Sequence, residues 1–187
     1  MIKDLFVVIR PRGEAQRFAK KIQKNISDHY NIYREGTYPE LHLTVDKIKE
    51  DIDKEKAIEV IDSVVKKHES VVIKIEEFDC FLSYKNNFLV LKVAETDSLL
   101  NFAAELHQEL NEKGYSSISD YSSWEFHITL ISNNFAQNPL EQNSFKNLCS
   151  FYSGIKFPKV SRTDQVELWR FTMDPDNKCI AEFKMSK

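Results

Sequence analysis

Glycine, proline, cysteine and surplus positive charge are all in short supply in this sequence. Four glycines and five prolines in 187 residues exclude a collagen-like or low-complexity chain and argue against disorder. The three cysteines, Cys80, Cys149 and Cys179, are odd in number and form no C-x-x-C pair. They read as reduced thiols of a cytosolic protein. The N-terminal MIKDLFVVIRPRG holds only a five-residue apolar run, too short for a signal peptide. No stretch approaches the ~18 apolar residues needed to span a membrane. These absences together read as a soluble, cytoplasmic protein with no membrane partner. Lys and Arg number 26 against 29 Asp and Glu, a formal charge of −3. A protein that grips long DNA or RNA by its phosphates needs a basic face. That class is disfavoured, whereas a short or terminal nucleotide held in a local pocket stays compatible.

Apolar residues, by contrast, are plentiful: 42% hydrophobic and 12% aromatic, enough for a sizeable core. Their periodicity gives the elements. Leu5 to Ile9 reads as a buried strand stopped by Arg10-Pro11. Glu14 to about Tyr30 and Lys54 to about His68 have helical spacing. Val71 to Leu82 and Phe88 to Ala94 read as strands around a turn at Tyr84-Lys85-Asn86-Asn87. Asp97 or Ser98 opens a third helix that stops at Gly114. Ser144 to about Tyr152 reads as a short helix, Val160 to Thr172 as mostly strand, and Cys179 to Met185 as a closing strand. This order predicts an α+β fold of two pseudo-symmetric lobes. Each lobe has a largely antiparallel sheet with outer helices, and a cleft lies between them. Residues 1–187 would form one bilobal, monomeric domain.

One pattern occurs twice. His42-Leu43-Thr44-Val45 is matched by His127-Ile128-Thr129-Leu130, 127 − 42 = 85 residues on. A strand sends side chains i and i+2 to one face. His42 and Thr44 would share a face with Leu41, Leu43 and Val45 behind. His127 and Thr129 would do the same in front of Phe126, Ile128 and Leu130. On composition alone, two such matches among five histidines arise on the order of once in a thousand. The remaining histidines, His29, His68 and His107, read as structural or surface groups.

The doubled motif, with its opening LFVVIRP strand and late VELWRF strand, resembles the 2H phosphoesterase superfamily. That superfamily includes the 2′–5′ RNA ligase-like proteins and the RNA 2′,3′-cyclic phosphodiesterases. A basic residue often follows its second motif closely, where Ile131-Ser132-Asn133-Asn134 stand here. The resemblance implies catalytic roles for His42, Thr44, His127 and Thr129.

Those residue types suit the chemistry. An ordinary imidazole pKa near ~6.5 lets one histidine take a proton from water while the other gives one to a leaving alkoxide. Two threonine hydroxyls can donate to non-bridging phosphate oxygens. The expected activity is metal-independent opening of 2′,3′-cyclic phosphates, or related cyclic or 2′–5′ linkages, on RNA ends or small nucleotides. No cofactor is expected. No metal is expected either, because neither a cysteine nor a third histidine stands at ligand spacing. The near-symmetry leaves acid and base interchangeable. Tyr84, Phe88, Trp124 and Trp169 are candidate base platforms, with Tyr84 favoured because it sits in a turn. Arg162 and Arg170 are candidate phosphate contacts. The alternative reading is a non-catalytic nucleotide- or RNA-binding module that retains the pocket.

Overall fold

The structure, a computed structural model, describes residues 4–82 and 87–186. Eight strands form one antiparallel sheet. They are β1 (Leu5–Ile9), β2 (Leu43–Ile48), β3 (Val71–Leu82), β4 (Asn87–Ala94), β5 (His127–Ser132), β6 (Lys156–Thr163), β7 (Gln165–Trp169) and β8 (Cys179–Lys184). Their order across the sheet is β6-β3-β4-β5-β2-β1-β7-β8. The helices are α1 (Gly13–Tyr30), α2 (Lys54–Val65), α3 (Asp97–Glu112), α4 (Gln142–Tyr152) and the one-turn α5 (Pro175–Lys178). The predicted two lobes are the two four-stranded halves of this sheet. They meet where Leu43 of β2 pairs with Ile128 of β5.

Local sequence explains the helix ends. Thr96 caps α3 by accepting the Leu99 N–H at 3.3 Å, and Asp53 caps α2 by accepting that of Lys56. The α1 helix ends at Asn31, whose φ of 50° is the left-handed C-cap that asparagine tolerates. Packing then follows the apolar stripes. In one half α1 lies on β5 and β6, and α4 on β3 and β4. In the other, α2 lies on α3 and β8, while α3 spans the two halves, touching β2 and β3. The buried side chains of both halves join one continuous core that includes Leu43 and Ile128.

Two expectations change. The strand read over 160–172 is two strands. The first, β6, begins earlier, at Lys156, where Lys156, Pro158 and Lys159 at the sheet edge leave Phe157 as a lone apolar residue without a strand pattern. Asp164 then breaks the run, its carboxylate accepting Arg12 at 3.1 Å and its carbonyl the Met185 N–H at 2.8 Å. The second change concerns the thiols. Cys80 on β3 and Cys149 on α4 form a disulfide with Cα atoms 6.0 Å apart, and only Cys179 is free. A separation of 69 residues hides a proximity that the docking of α4 on β3 creates. The turn expected at Tyr84-Lys85-Asn86 lies outside the described residues. Among the described residues, no helix is long and apolar enough to cross a membrane.

Opening the Cys80–Cys149 bond frees a long loop in the unfolded chain. Reduction, or Cys80→Ser with Cys149→Ser, is expected to lower stability by about 4 kcal/mol. Urea unfolding with and without reductant measures this; identical midpoints would contradict it.

Candidate active site

The two motif strands are held by matching local devices. On β2, Val8 pairs with Thr44 and Val7 with Asp46, so Val45 is an extra residue. On β5, Val90 pairs with Thr129 and Leu89 with Ile131, so Leu130 is the extra residue. Each strand therefore carries a β-bulge directly after its threonine. Each bulge also has a side-chain acceptor for the N–H that follows it. The Asp46 carboxylate takes the Lys47 N–H at 2.6 Å, and the Tyr33 hydroxyl takes that of Ser132 at 2.9 Å.

The Leu43–Ile128 pair is a pseudo-two-fold centre. Continuing its antiparallel register sets His42 opposite Thr129 and Thr44 opposite His127. Alternation puts all four on one face of the sheet, while Leu43, Val45, Ile128 and Leu130 are buried on the other. Val8 and Val90, the ladder partners of the two threonines, floor this face. Both are fully buried yet stand outside the main core.

Each imidazole is oriented in the same way. His42 Nδ1 lies 2.8 Å from the Glu40 carbonyl, and His127 Nδ1 lies 2.8 Å from that of Glu125. A carbonyl only accepts, so Nδ1 carries the proton and Nε2 presents its lone pair. An aromatic ring flanks each histidine, Trp169 on His42 and Phe81 on His127, both at 4.9 Å between centroids. Trp169 pairs with Phe6 and Phe81 with Phe88, so the two rings are equivalent under the pseudo-symmetry. Burial lowers both histidines below the ordinary value. The carbonyl bonds from Glu40 and Glu125 act the other way. Nearby cations lower each further, Lys178 for His42 and Lys47 for His127.

The flanks are unequal. Arg10 reaches the buried Glu167 carboxylate, with Nε and Nη2 at 2.8 and 2.7 Å from Oε1, and Glu40 at 3.2 Å. The other Glu167 oxygen accepts Trp169 Nε1 at 2.7 Å. Beside His42, Phe6, Pro39, Trp169, Phe171, Arg170 and Lys178 help to line a pocket of about 80 Å³. Lys178 is itself buried, its Nζ 5.1 Å from the Trp169 ring centre and 3.8 Å from Glu40. One group of possible metal ligands, Glu167, Cys179 and Glu182, lies close together among the described residues. Both Glu167 oxygens are already engaged there.

The structure brings His42, Thr44, His127 and Thr129 together and puts Arg170 on the pocket rim, with its Nη1 held by the Asn177 carbonyl at 3.1 Å. It does not bring Arg162 to the motifs. That residue is on the edge strand β6, separated from β5 by β3 and β4, and donates to Ser70 at 3.1 Å. Tyr84 lies outside the described residues. Sequence reading missed Arg10, Lys47, Lys92, Glu167 and Lys178. Two of them had a signal. Phe6-Val7-Val8-Ile9-Arg10 and Phe88-Leu89-Val90-Leu91-Lys92 are a second repeat, 88 − 6 = 82 residues apart, and Lys92 pairs with His127 in the ladder.

A sheet whose two halves each contribute one His-x-Thr strand to a shared face defines a two-histidine phosphoesterase fold. The chain belongs to the family described as the AKAP7 2'5' RNA ligase-like domain, which matches residues 8–184, and through it to the 2H phosphoesterase superfamily. Among solved structures it is similar to TT0787 of Thermus thermophilus, with TM-score 0.68, 15% identity and 97% of each chain covered. It is also similar to Escherichia coli LigT complexed with NADP+, with TM-score 0.58, 12% identity and 99% of each chain covered. Kluyveromyces marxianus Usb1 aligns with TM-score 0.54 and 11% identity over 89% of this chain and 93% of its own. No curated protein sequence matches.

Imidazole titration followed by NMR checks the electrostatics. His42 and His127 are expected to be neutral Nδ1–H tautomers at pH 7.5, with midpoints below about 6.5. A midpoint above that value for either would contradict the burial argument.

Proposed function

We propose that this chain is a metal-independent phosphodiesterase that opens 2′,3′-cyclic phosphates, or related 2′–5′ linkages, on RNA ends or small nucleotides. The observation that carries it is the Leu43–Ile128 register, which sets each histidine opposite the other motif's threonine on one face. A tetrahedral phosphate placed there has one Nε2 on each side. One imidazole accepts a proton from water as the water oxygen bonds to phosphorus. The phosphorus–O2′ bond then breaks, and the other ring, as imidazolium, protonates the departing O2′. Thr44 and Thr129 hydroxyls donate to the two non-bridging oxygens, whose charge persists through the transition state. The product is a 3′-phosphate monoester.

Two further features support a nucleotide substrate. The pocket beside His42 is aromatic on several sides and cationic at Lys178 and Arg170, a surface on which a base stacks. Structurally similar proteins have been solved with nucleotides: LigT with 3'-AMP and Usb1 with uridine monophosphate.

The test incubates the protein with 2′,3′-cyclic nucleotides in EDTA. Turnover is expected, with His42→Ala and His127→Ala each lowering kcat by about 10²–10⁴-fold. The sign of the pH effect follows from the lowered pKa values. The acid must hold a proton that it loses as pH rises past its depressed pKa, so kcat/KM should peak below about pH 6.5. Equal turnover by the double variant would overturn the reading. Nucleoside monophosphate binding without turnover would mark a binding module instead.

A further inference from the structure

Behind the first motif lies a polar cluster that the proposed chemistry does not use. The bulge at Val45 turns Asp46 away from the cleft, and its carboxylate is fully buried. It accepts three hydrogen bonds: the Lys47 N–H at 2.6 Å, Ser116 Oγ at 2.8 Å and His107 Nδ1 at 2.8 Å. His107 stacks flat on Tyr121, with ring centres 3.9 Å apart. Tyr121 donates its hydroxyl to the Val45 carbonyl at 2.9 Å, and Trp124 Nε1 donates to the Thr44 carbonyl at 3.3 Å. Burial keeps the Tyr121 phenol protonated, and so a donor, by raising its pKa above the usual value.

The placement of these donors matters. Ser116, Tyr121 and Trp124 belong to the segment that runs from α3 into His127. The segment that delivers the second histidine is thus fastened to the carbonyls of Thr44 and Val45 and, through Ser116, to Asp46. At the opposite bulge Ile131 stands in the place of Asp46, and the corresponding bonds come from Tyr33, which accepts the Ser132 N–H, and from Gln23, whose Nε2 donates to the carbonyls of Leu130 and Pro39.

We infer that Asp46, His107 and Tyr121 are positioning residues that set the distance between the two motifs, so that His127 lies across from Thr44 in reacting geometry. They touch no substrate and act through the β2 backbone. A displacement of about 1 Å at a reacting group can cost ~10²-fold in rate, so a hydrogen bond that fixes the strands bears on kcat more than on binding.

The kinetic test rests on the phosphodiesterase reading. Tyr121→Phe, which keeps the ring stack, and Asp46→Ala are each expected to lower kcat about 10-fold or more while KM moves less than about threefold. Asp46→Asn, which still accepts from Lys47 and Ser116, should recover most of that loss. Thr96→Ala removes the α3 cap, whose side-chain bonds to Leu99 and Val72 involve no motif or clamp residue, and should cost comparable stability with kcat unchanged. A folded Tyr121→Phe protein with full kcat overturns the inference, as does a Thr96→Ala protein that loses kcat in step with stability. NMR separates this failure from that of the activity. Tyr121→Phe should shift the His42 and His127 imidazole resonances more than those of His68, and unmoved resonances overturn the clamp. If wild-type protein turns over no cyclic phosphate, the phosphodiesterase reading fails and these resonances alone decide.

Discussion

Leu43 and Ile128 form the one backbone pair between the two halves of the sheet among the described residues, and the direction in which the motif side chains face depends on it. Both side chains are fully buried, each worth about 1.5–3 kcal/mol when removed from water. One backbone hydrogen bond contributes only about 1 kcal/mol net. Side-chain burial behind the sheet, rather than pairing between the halves, therefore dominates the junction. The same burial fixes register, because a slip of one residue by either strand would turn that strand's histidine into the core. The apolar residues of the motifs are thus as specific as the polar ones. They decide which way His42, Thr44, His127 and Thr129 point.

On this symmetric frame the two sides differ in charge and in shape. Arg10 is tied into Glu167, Glu40 and Trp169 on the His42 side, whereas its counterpart Lys92 is exposed beside His127. The aromatic pocket and the buried Lys178 also belong to the His42 side. A symmetric pair of imidazoles does not by itself choose an orientation for its substrate. Unequal flanks do, by binding one end of the substrate better than the other. Burial holds both histidines below the ordinary imidazole pKa, so under the proposed mechanism the acid's proton is favoured by the approach of an anionic phosphate.

Much of this was legible in the sequence. Alternation around each motif gave the strands, their faces and their buried backs, because strand periodicity is local. The α+β class and the two halves followed from element order. The bulges were not legible, since Val45-Asp46 and Leu130-Ile131 read as ordinary strand and the shift exists only in pairing. Glu167 gave no signal for a related reason: its partner Arg10 is 157 residues away. Lys178 read as an ordinary charged residue because its place against the Trp169 ring exists only once the chain folds back after β7. His107 read as a bland helix residue because its partner Asp46 is 61 residues away. The Phe6 and Phe88 repeat was visible but conservative, apolar matched to apolar, and it acquires meaning only when both strands flank a motif. The disulfide and the placement of Arg162 likewise depend on packing that spacing does not encode.

The central claim is that the two motifs together hold one phosphate. A crystal structure of the protein with a nucleoside 2′- or 3′-monophosphate tests it most directly. One phosphate is expected between β2 and β5, with Nε2 of both His42 and His127 about 2.7–3.2 Å from its oxygens and both threonine hydroxyls donating to it. A phosphate bound by one histidine alone, or seated away from the Leu43–Ile128 junction, would contradict it.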